Sequence, residues 1–145
     1  MLNLNIRRAQ IDDLSELNNL CIELGYNSVV GEVKNRLEKI QNSQSDIILV
    51  AVEKGMVVGW IHVFRALRLE SEPFAEIGGL VVSSKQRGKG VGKALVNEAE
   101  KWVKENGLIN IRVRSRTSRK KTRQFYEREG YIAIKEQNVF EKSLK

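Results

Sequence analysis

The chain has 145 residues, of which 41% are hydrophobic and 30% charged, and its formal net charge is +7. This length predicts a single domain over residues 1–145 with a full hydrophobic core. A lone cysteine, Cys21, excludes a framework of internal disulfides. The sequence also lacks an apolar run of membrane-spanning length and a signal peptide. We therefore expect a soluble, cytoplasmic protein with no membrane partner.

The N-terminal part of the chain predicts one strand followed by two helices. Leu4–Ala9 alternates as a strand, and Asp12 or Asp13 can cap a helix that runs to about Leu24. After a break that begins at Gly25-Tyr26-Asn27-Ser28, a second helix is expected over about residues 31–42.

The period then changes to that of strands. Two segments rich in Val and Ile, Ile47–Glu53 and Met56–Leu67, flank Lys54-Gly55 and predict a β-hairpin. Ala75–Val82 is the next strand, and it carries Gly78-Gly79 in its middle. A glycine pair inside a strand indicates a bulge or a close approach of the backbone.

A glycine-rich turn leads from this strand into a helix expected over residues 90–106. Gly88, Gly90 and Gly92 leave backbone N–H groups free at the helix start, where the helix dipole favours an anion. A P-loop is excluded because no Gly-Lys-Ser/Thr occurs, and a dinucleotide fingerprint because its third glycine position is Lys93. The pattern therefore predicts a phosphate site of another kind.

The C-terminal part predicts one more helix between strands. Leu108–Ser115 alternates as a strand, and a helix follows over about Ser118–Glu129. Two short strands are expected near Tyr131–Lys135 and Val139–Ser143. The complete order is β-α-α-β-β-β-α-β-α-β-β, an α/β chain with a mixed sheet.

Three segments of the chain resemble segments of the GCN5-related N-acetyltransferase (GNAT) superfamily, and the order of elements is the same as in that superfamily. Arg87-x-x-Gly90-x-Gly92 resembles its acetyl-CoA pyrophosphate loop. Phe74-Ala75-Glu76-Ile77 is similar to the strand that carries the general base in the histone acetyltransferases of the superfamily, and Arg123–Tyr131 is similar to the family's Phe-Tyr-Glu-x-x-Gly-Phe/Tyr segment. The resemblance covers essentially the whole chain and implies a three-layer α/β/α sandwich whose fourth and fifth strands splay apart at a bulge.

The resemblance also implies a reaction and a site. Acetyl-CoA would be the cosubstrate, and its acetyl group would pass directly, in a ternary complex, to a primary amine of a small molecule or a protein. Glu76 would act as the base and Tyr126 would protonate the departing thiolate, while a backbone N–H near Gly79 or Leu80 would polarise the thioester. No metal is expected. The implied acetyl-CoA contacts are Leu80, Val81, Val82, Arg87, Gly88, Lys89, Gly90, Val91, Gly92, Lys93, Arg119 and Phe125.

Several alternatives stay open at this stage. His62, the single histidine, or only water could replace Glu76 as the base. Arg116 stands where many relatives carry an asparagine that contacts the cofactor, which leaves the roles of Arg116 and Arg119 undecided. The chain could also be an acetyl-CoA-binding regulator without turnover, and a homodimer is plausible from the family.

A nucleic-acid-binding module is the third possibility. No acidic residue occurs between Glu105 and Glu127, a window with seven arginines and lysines from Arg112 to Arg123. The run from Arg112 to Arg123 has no interleaved aromatic residue for base stacking, which counts against a nucleic-acid partner without excluding one.

Overall fold

The computed structural model describes residues 3–145 and divides into two units, one ending at Val113 and the other spanning Arg114–Lys145. Met1 and Leu2, the first residues of the N-terminal region in which a signal peptide would lie, are outside the described residues. Among residues 3–145, no helix is both long enough and apolar enough to cross a bilayer. The single domain expected over the whole chain stays a prediction.

Within residues 3–113, the first unit contains a five-stranded sheet, three α-helices and two short 3-10 helices, Ile11–Asp13 and Ser84–Gln86. Its strands are β1 (Leu4–Arg8), β2 (Asp46–Glu53), β3 (Met56–Arg68), β4 (Ser71–Val82) and β5 (Ile111–Val113), and its helices are α1 (Leu14–Glu23), α2 (Val30–Gln41) and α3 (Val91–Glu105). The sheet order is β1-β2-β3-β4-β5, antiparallel except for the parallel pair of β4 with β5. The elements predicted up to residue 106 are all present within a few residues of their expected bounds.

The helices cover both faces of this sheet. Leu17, Leu20 and Leu37 of α1 and α2 pack with Val50 and Val81 on one face. Trp60 of β3 packs on this same face, so its neighbour Gly59 points to the opposite face. A Cβ at Gly59 would lie 3.2 and 3.3 Å from Leu95 and Val91, which shows that α3 covers that face. The predicted three-layer α/β/α sandwich is therefore confirmed within this unit.

A bidentate ion pair joins β1 to the start of α1. The two terminal guanidinium nitrogens of Arg7 lie 2.8 Å from the carboxylate of buried Asp13, which also accepts the N–H of Gln10 at 2.8 Å. The hydrogen bonds from Arg7 lower the pKa of Asp13. Asp13 is the N-cap residue of α1, as the sequence predicts, but its carboxylate binds Arg7 and the N–H of Gln10 rather than an N–H of α1.

The structure corrects the sequence-based prediction in two places. β4 begins at Ser71 rather than at the expected Ala75, so β3 and β4 are joined by a tight turn at Leu69-Glu70. The last two predicted strands, near Tyr131–Lys135 and Val139–Ser143, are not formed, and residues 131–145 carry no helix or strand. An alternating sequence favours extended backbone, but a strand also needs a hydrogen-bonded neighbour, and the sequence pattern does not provide one.

The second unit contains one helix, α4 (Lys120–Arg128). Gly130 follows it with a φ of 92°, and the N–H of Tyr131 donates to the carbonyl of Tyr126 at 2.9 Å. This left-handed glycine ends the helix, close to the expected end at Glu129.

Candidate functional site

A bulge interrupts β4 at the predicted glycine pair. His62 of β3 pairs with Gly79 and Val63 pairs with Ile77, so Gly78 is the extra residue. A Cβ at Gly78 would lie 3.0 Å from Nδ1 of His62, and one at Gly79 would lie 2.8 Å from the ring of Trp60. A Cβ at Gly79 would overlap the Trp60 ring, and one at Gly78 would require the His62 ring to shift by a few tenths of an ångström.

β4 also separates from β5 at this bulge. The parallel pairing joins only Ala75–Ile77 to Ile111–Val113. Beyond Ile77, no pairing with β5 is found among residues 3–145, although β4 continues to Val82. One edge of β4 at Gly78–Val82 therefore has backbone groups that an extended ligand can pair with, as in strand addition.

Leu80, Val81 and Val82, three of the predicted acetyl-CoA contacts, lie on this stretch. The side chain of Val81 is buried in the core beneath α1 and α2, so only its backbone is available to a ligand. These positions can therefore bind through N–H and C=O groups whatever their side chains.

The loop after β4 forms the start of α3. Gly88 and Gly90 have φ values of 77° and 87°, and a Cβ at either position would meet nothing within 4 Å. Gly90 is the N-cap of α3 and offers no side chain, so the first N–H groups of the helix lack a side-chain cap. Arg87, Lys89 and Lys93 are exposed around these N–H groups. The arrangement is suited to a phosphate group.

Glu23, a residue that the sequence analysis did not single out, ties α1 to this loop. Its Oε1 accepts hydrogen bonds from the hydroxyl of Ser84 at 2.9 Å and from the Ser84 N–H at 3.3 Å. The carboxylate therefore fixes the beginning of the glycine-rich segment. No sequence pattern indicates the link, because 61 residues separate the two partners.

Glu76 lies on β4 directly before the bulge and is half-buried. Its register partners are Phe64 on β3 and Arg112 on β5. The guanidinium of Arg112 stacks on the ring of Phe74, 4.0 Å from its centre. The candidate base thus has a cationic residue as its neighbour across the parallel pair.

His62 shares the sheet face of Glu76 and makes a close contact with a carboxylate. Its Nε2 lies 2.8 Å from Oδ2 of Asp46, and the hydroxyl of Ser43 donates to Oδ1 of the same carboxylate at 2.7 Å. The ring centre of Phe64 lies 5.7 Å from that of His62. Asp46 and Ser43 are further residues that sequence reasoning missed.

The remaining predicted site residues belong to the second unit. Tyr126 on α4 is 8% exposed and makes edge contacts with Phe125 and Tyr131 at ring distances of 5.0 and 5.4 Å. Burial raises the pKa of Tyr126 to about 12, so the phenol stays protonated at neutral pH. Arg119 is the N-cap of α4, and both it and Arg116 are exposed.

Comparison with known proteins decides the family. The sequence model of the acetyltransferase (GNAT) family matches residues 11–131. The chain belongs to the GNAT family. It is therefore an N-acetyltransferase whose acyl donor is acetyl-CoA, as its sequence resemblance implied.

Individual proteins are also similar to this chain. An uncharacterized N-acetyltransferase of Chlorobaculum tepidum is 30% identical over 132 residues, which cover 91% of this chain and 77% of that protein. The fold matches that of a transcriptional regulator from Bacillus halodurans, with a TM-score of 0.86 at 23% identity over 96% of this chain and 99% of that one.

The GNAT fold is also shared with the aminoglycoside N-acetyltransferase AAC(6')-Iy, solved with a CoA-linked bisubstrate analogue. The TM-score is 0.88 at 16% identity, over 97% of this chain and 99% of that one. At this identity the likeness concerns the fold.

Proposed function

We propose that this protein acetylates a primary amine by direct transfer from acetyl-CoA in a ternary complex. A small-molecule amine is the first acceptor class that we propose. The observation that carries the proposal is that two features follow one another along the chain. The open edge of β4 at Gly78–Val82 is followed by the loop of residues 83–90 and then by the uncapped start of α3. An extended arm ending in a pyrophosphate requires both features in this order.

The residues divide the binding work by chemistry. Backbone groups of Leu80, Val81 and Val82 are proposed to pair with the pantetheine arm of acetyl-CoA. N–H groups between Arg87 and Lys93 are proposed to bind its pyrophosphate, with the basic side chains adding attraction. A backbone N–H at the bulge would polarise the thioester carbonyl.

The amine determines how much a base contributes. A lysine-like amine with a pKa of about 10.4 costs roughly 4–5 kcal/mol to deprotonate at pH 7, whereas an α-amine near pKa 8 costs only about 1 kcal/mol. We propose Glu76 as one base for this step. Its position directly before the bulge supports the role, because that position is next to the open edge of β4.

Tyr126 is proposed to serve the leaving thiolate as a hydrogen-bond donor. With a pKa of about 12, the phenol is a poor acid toward a thiol of pKa about 8.5. Complete proton transfer would be uphill by roughly 5 kcal/mol. A hydrogen bond to the developing charge avoids this cost, and the proton released by the amine can then neutralise the thiolate.

Cys21 supports transfer without an acyl-enzyme. It is half-buried on α1, and burial raises the pKa of its thiol, which lowers the thiolate population at neutral pH. A covalent route would require a lowered thiol pKa.

We propose a cytoplasmic location, because a chain with a single cysteine cannot form an internal disulfide.

For the acceptor, we propose cationic small molecules as the first class to test. Glu70 and Glu72 are exposed at the β3–β4 turn, and the carboxylate of Glu76 lies farther along the same strand. Proteins with this fold include enzymes named for aminoglycoside acetylation. A protein acceptor and a homodimer stay predictions, and a nucleic-acid partner stays a disfavoured alternative.

Calorimetry with acetyl-CoA tests the binding site. The wild type should bind, and the double variant Gly90→Asp/Gly92→Asp should lose binding because its carboxylates repel the pyrophosphate. Gly107→Asp is the matched control, since Gly107 is a left-handed glycine with open space at the other end of α3. A folded wild type that does not bind acetyl-CoA would overturn the proposal.

Turnover separates an enzyme from a regulator. Release of free thiol should be screened with aminoglycosides, polyamines and peptides that carry free amines. Binding of acetyl-CoA without turnover of any amine would favour a regulator. If Tyr126→Phe left the rate unchanged with an accepted amine, its proposed role would be excluded.

A further inference from the structure

We propose that His62 accepts the proton of the acceptor amine and that Asp46 positions it for this step. The inference rests on the proposed function and adds a base to the same site. His62 lies on β3 opposite the bulge of β4, and its partner Asp46 begins β2. The two side chains share a sheet face because Asp46 pairs with Phe64 while Ile48 pairs with His62.

The contact with Asp46 determines which ring nitrogen is free. A carboxylate only accepts hydrogen bonds, so the 2.8 Å contact requires that Nε2 of His62 carries the hydrogen. In the neutral ring, the lone pair then resides on Nδ1. The hydroxyl of Ser43 holds the other carboxylate oxygen at 2.7 Å and so keeps Asp46 in place.

The free nitrogen is directed toward the proposed reaction centre. Nδ1 lies 3.0 Å from the position that a Cβ of Gly78 would take, at the point where β4 leaves β5. The absence of a side chain at Gly78 lets the ring approach the strand. His62 and Asp46 are 22% and 21% exposed, so the pair is partly shielded and still reachable.

Charged groups on three strands share the sheet face of the ring. They are Asp46 on β2, Glu76 on β4 and Arg112 on β5. Asp46 is in contact with His62, whereas the register partner of Glu76 is Arg112.

The proton balance of the step is complete. Nδ1 takes one proton from the ammonium form of the acceptor, and the amine lone pair then forms the N–C bond to the acetyl carbon. The C–S bond breaks, and its electron pair goes to sulfur. The nitrogen loses a second proton to the thiolate, and Nδ1–H passes the first to solvent. The sum is an amide, a free thiol and one released proton.

Nitrogen NMR tests the geometry without knowledge of the acceptor. Because the chain has a single histidine, its two ring nitrogens give unambiguous signals. We expect hydrogen on Nε2 and none on Nδ1 in the neutral ring, and a shift of the Nδ1 signal when acetyl-CoA is added. Asp46→Asn should reverse the tautomer, since its amide can donate to Nε2. Hydrogen on Nδ1 in the wild type would overturn the proposal.

Kinetics test the role with an amine that the screen accepts. His62→Gln can still donate a hydrogen bond to Asp46 but has no basic nitrogen, and should lower kcat by about 10²–10⁴-fold with little change in KM for acetyl-CoA. The deficit should shrink about tenfold for each pH unit toward the pKa of the amine, because the substrate then deprotonates by itself. A merely structural histidine would give a deficit independent of pH.

Further variants and measurements separate the possible failures. Ser43→Ala should cost only a few-fold in kcat, because it removes one of the contacts that hold Asp46. Calorimetry and thermal melting establish that each variant still binds acetyl-CoA and folds. Loss of acetyl-CoA binding by the wild type would refute the proposed function, whereas full activity of a folded His62→Gln would refute the role of His62 alone. If no amine is accepted, the NMR result decides.

Discussion

The two groups of glycines around the proposed site are glycine for opposite reasons. At Gly78 and Gly79, the backbone is in a strand and the space beside it is filled by His62, Phe64 and Trp60. At Gly88 and Gly90, the space is open and the backbone is left-handed. The first group is required by packing and the second by conformation.

This difference teaches how each region contributes to the site. The bulge is fixed by the aromatic side chains of β3, so its shape depends on the core. The loop is anchored at Ser84 by Glu23, whereas Gly88 and Gly90 lie in open space, so their conformation depends on backbone angles and their N–H groups can reach a ligand. Substitutions should therefore fail in different ways: at the bulge through stability, and in the loop mainly through binding.

The largest effect is expected for Gly79→Ala. The new Cβ would lie 2.8 and 2.9 Å from two atoms of the Trp60 ring, and a rigid indole cannot move aside easily. We expect the free energy of unfolding to fall by about 3 kcal/mol, at the upper end for an overpacked site. Urea denaturation measures this directly.

Two variants make this prediction specific. Trp60→Phe removes the overlapping ring atoms, so Gly79→Ala should cost less in that background, which a double-mutant cycle detects. Gly31→Ala in α2 has open space around it and no positive φ, and should be neutral or stabilising by up to about 1 kcal/mol. Equal costs for both alanines would refute the packing explanation.

Tyr126 has filled surroundings, and there they affect the pKa of a side chain rather than the fit of a glycine. Its pKa is raised to about 12 by burial, so the folded state holds the proton more tightly than the unfolded chain, whose tyrosine titrates near 10. The associated stability is complete below pH 10 and is lost as pH rises toward 12, by about 2.7 kcal/mol.

Comparison with Tyr126→Phe isolates this contribution from the other groups that titrate at high pH. The wild type should lose more stability than the variant between pH 10 and pH 12. Parallel curves of unfolding free energy against pH would show that the burial of Tyr126 does not affect its titration.

A smaller effect is expected for Gly90→Ala. No neighbour is displaced, so the cost is the left-handed conformation alone, about 1 kcal/mol. Gly107→Ala has the same open, left-handed setting at the other end of α3 and should cost the same stability. Only Gly90→Ala should also weaken acetyl-CoA binding, about tenfold, because it redirects N–H groups at the helix start. If both variants bound acetyl-CoA with equal affinity, Gly90 and its loop would not belong to the acetyl-CoA site.

The fold was predictable from the sequence wherever a local pattern determines it. The helical periods, the Lys54-Gly55 turn and the glycines after β4 and α3 all place elements within a few residues of their observed bounds. The strands predicted after Tyr131 failed because extended backbone becomes a strand only with a partner, and alternation gives no information about the partner.

The His62–Asp46 pair shows why part of the site could not be predicted. Counting residues back from the turn, where Glu53 pairs with Met56, would set His62 opposite Ile47 and put Asp46 on the other face of the sheet. A register shift between Ala51 and Val52 moves His62 opposite Ile48. This irregularity brings the two side chains together, and no local sequence signal marks it.

The smallest effect is expected at Lys54, where a left-handed conformation occurs without glycine. Its φ is 51° and that of Gly55 is 76°, as in the two-residue turns that favour Asn-Gly or Gly-Gly. Lys54→Gly relieves the left-handed strain but gains freedom in the unfolded chain, so a net stabilisation of about 0.5 kcal/mol is expected. Lys54→Ala, which keeps the Cβ, should be close to neutral. If Lys54→Gly destabilised the protein while Lys54→Ala did not, the left-handed conformation would not be what limits stability at residue 54. The explanation that Gly88 and Gly90 are glycine because of their left-handed conformation would then be weakened too.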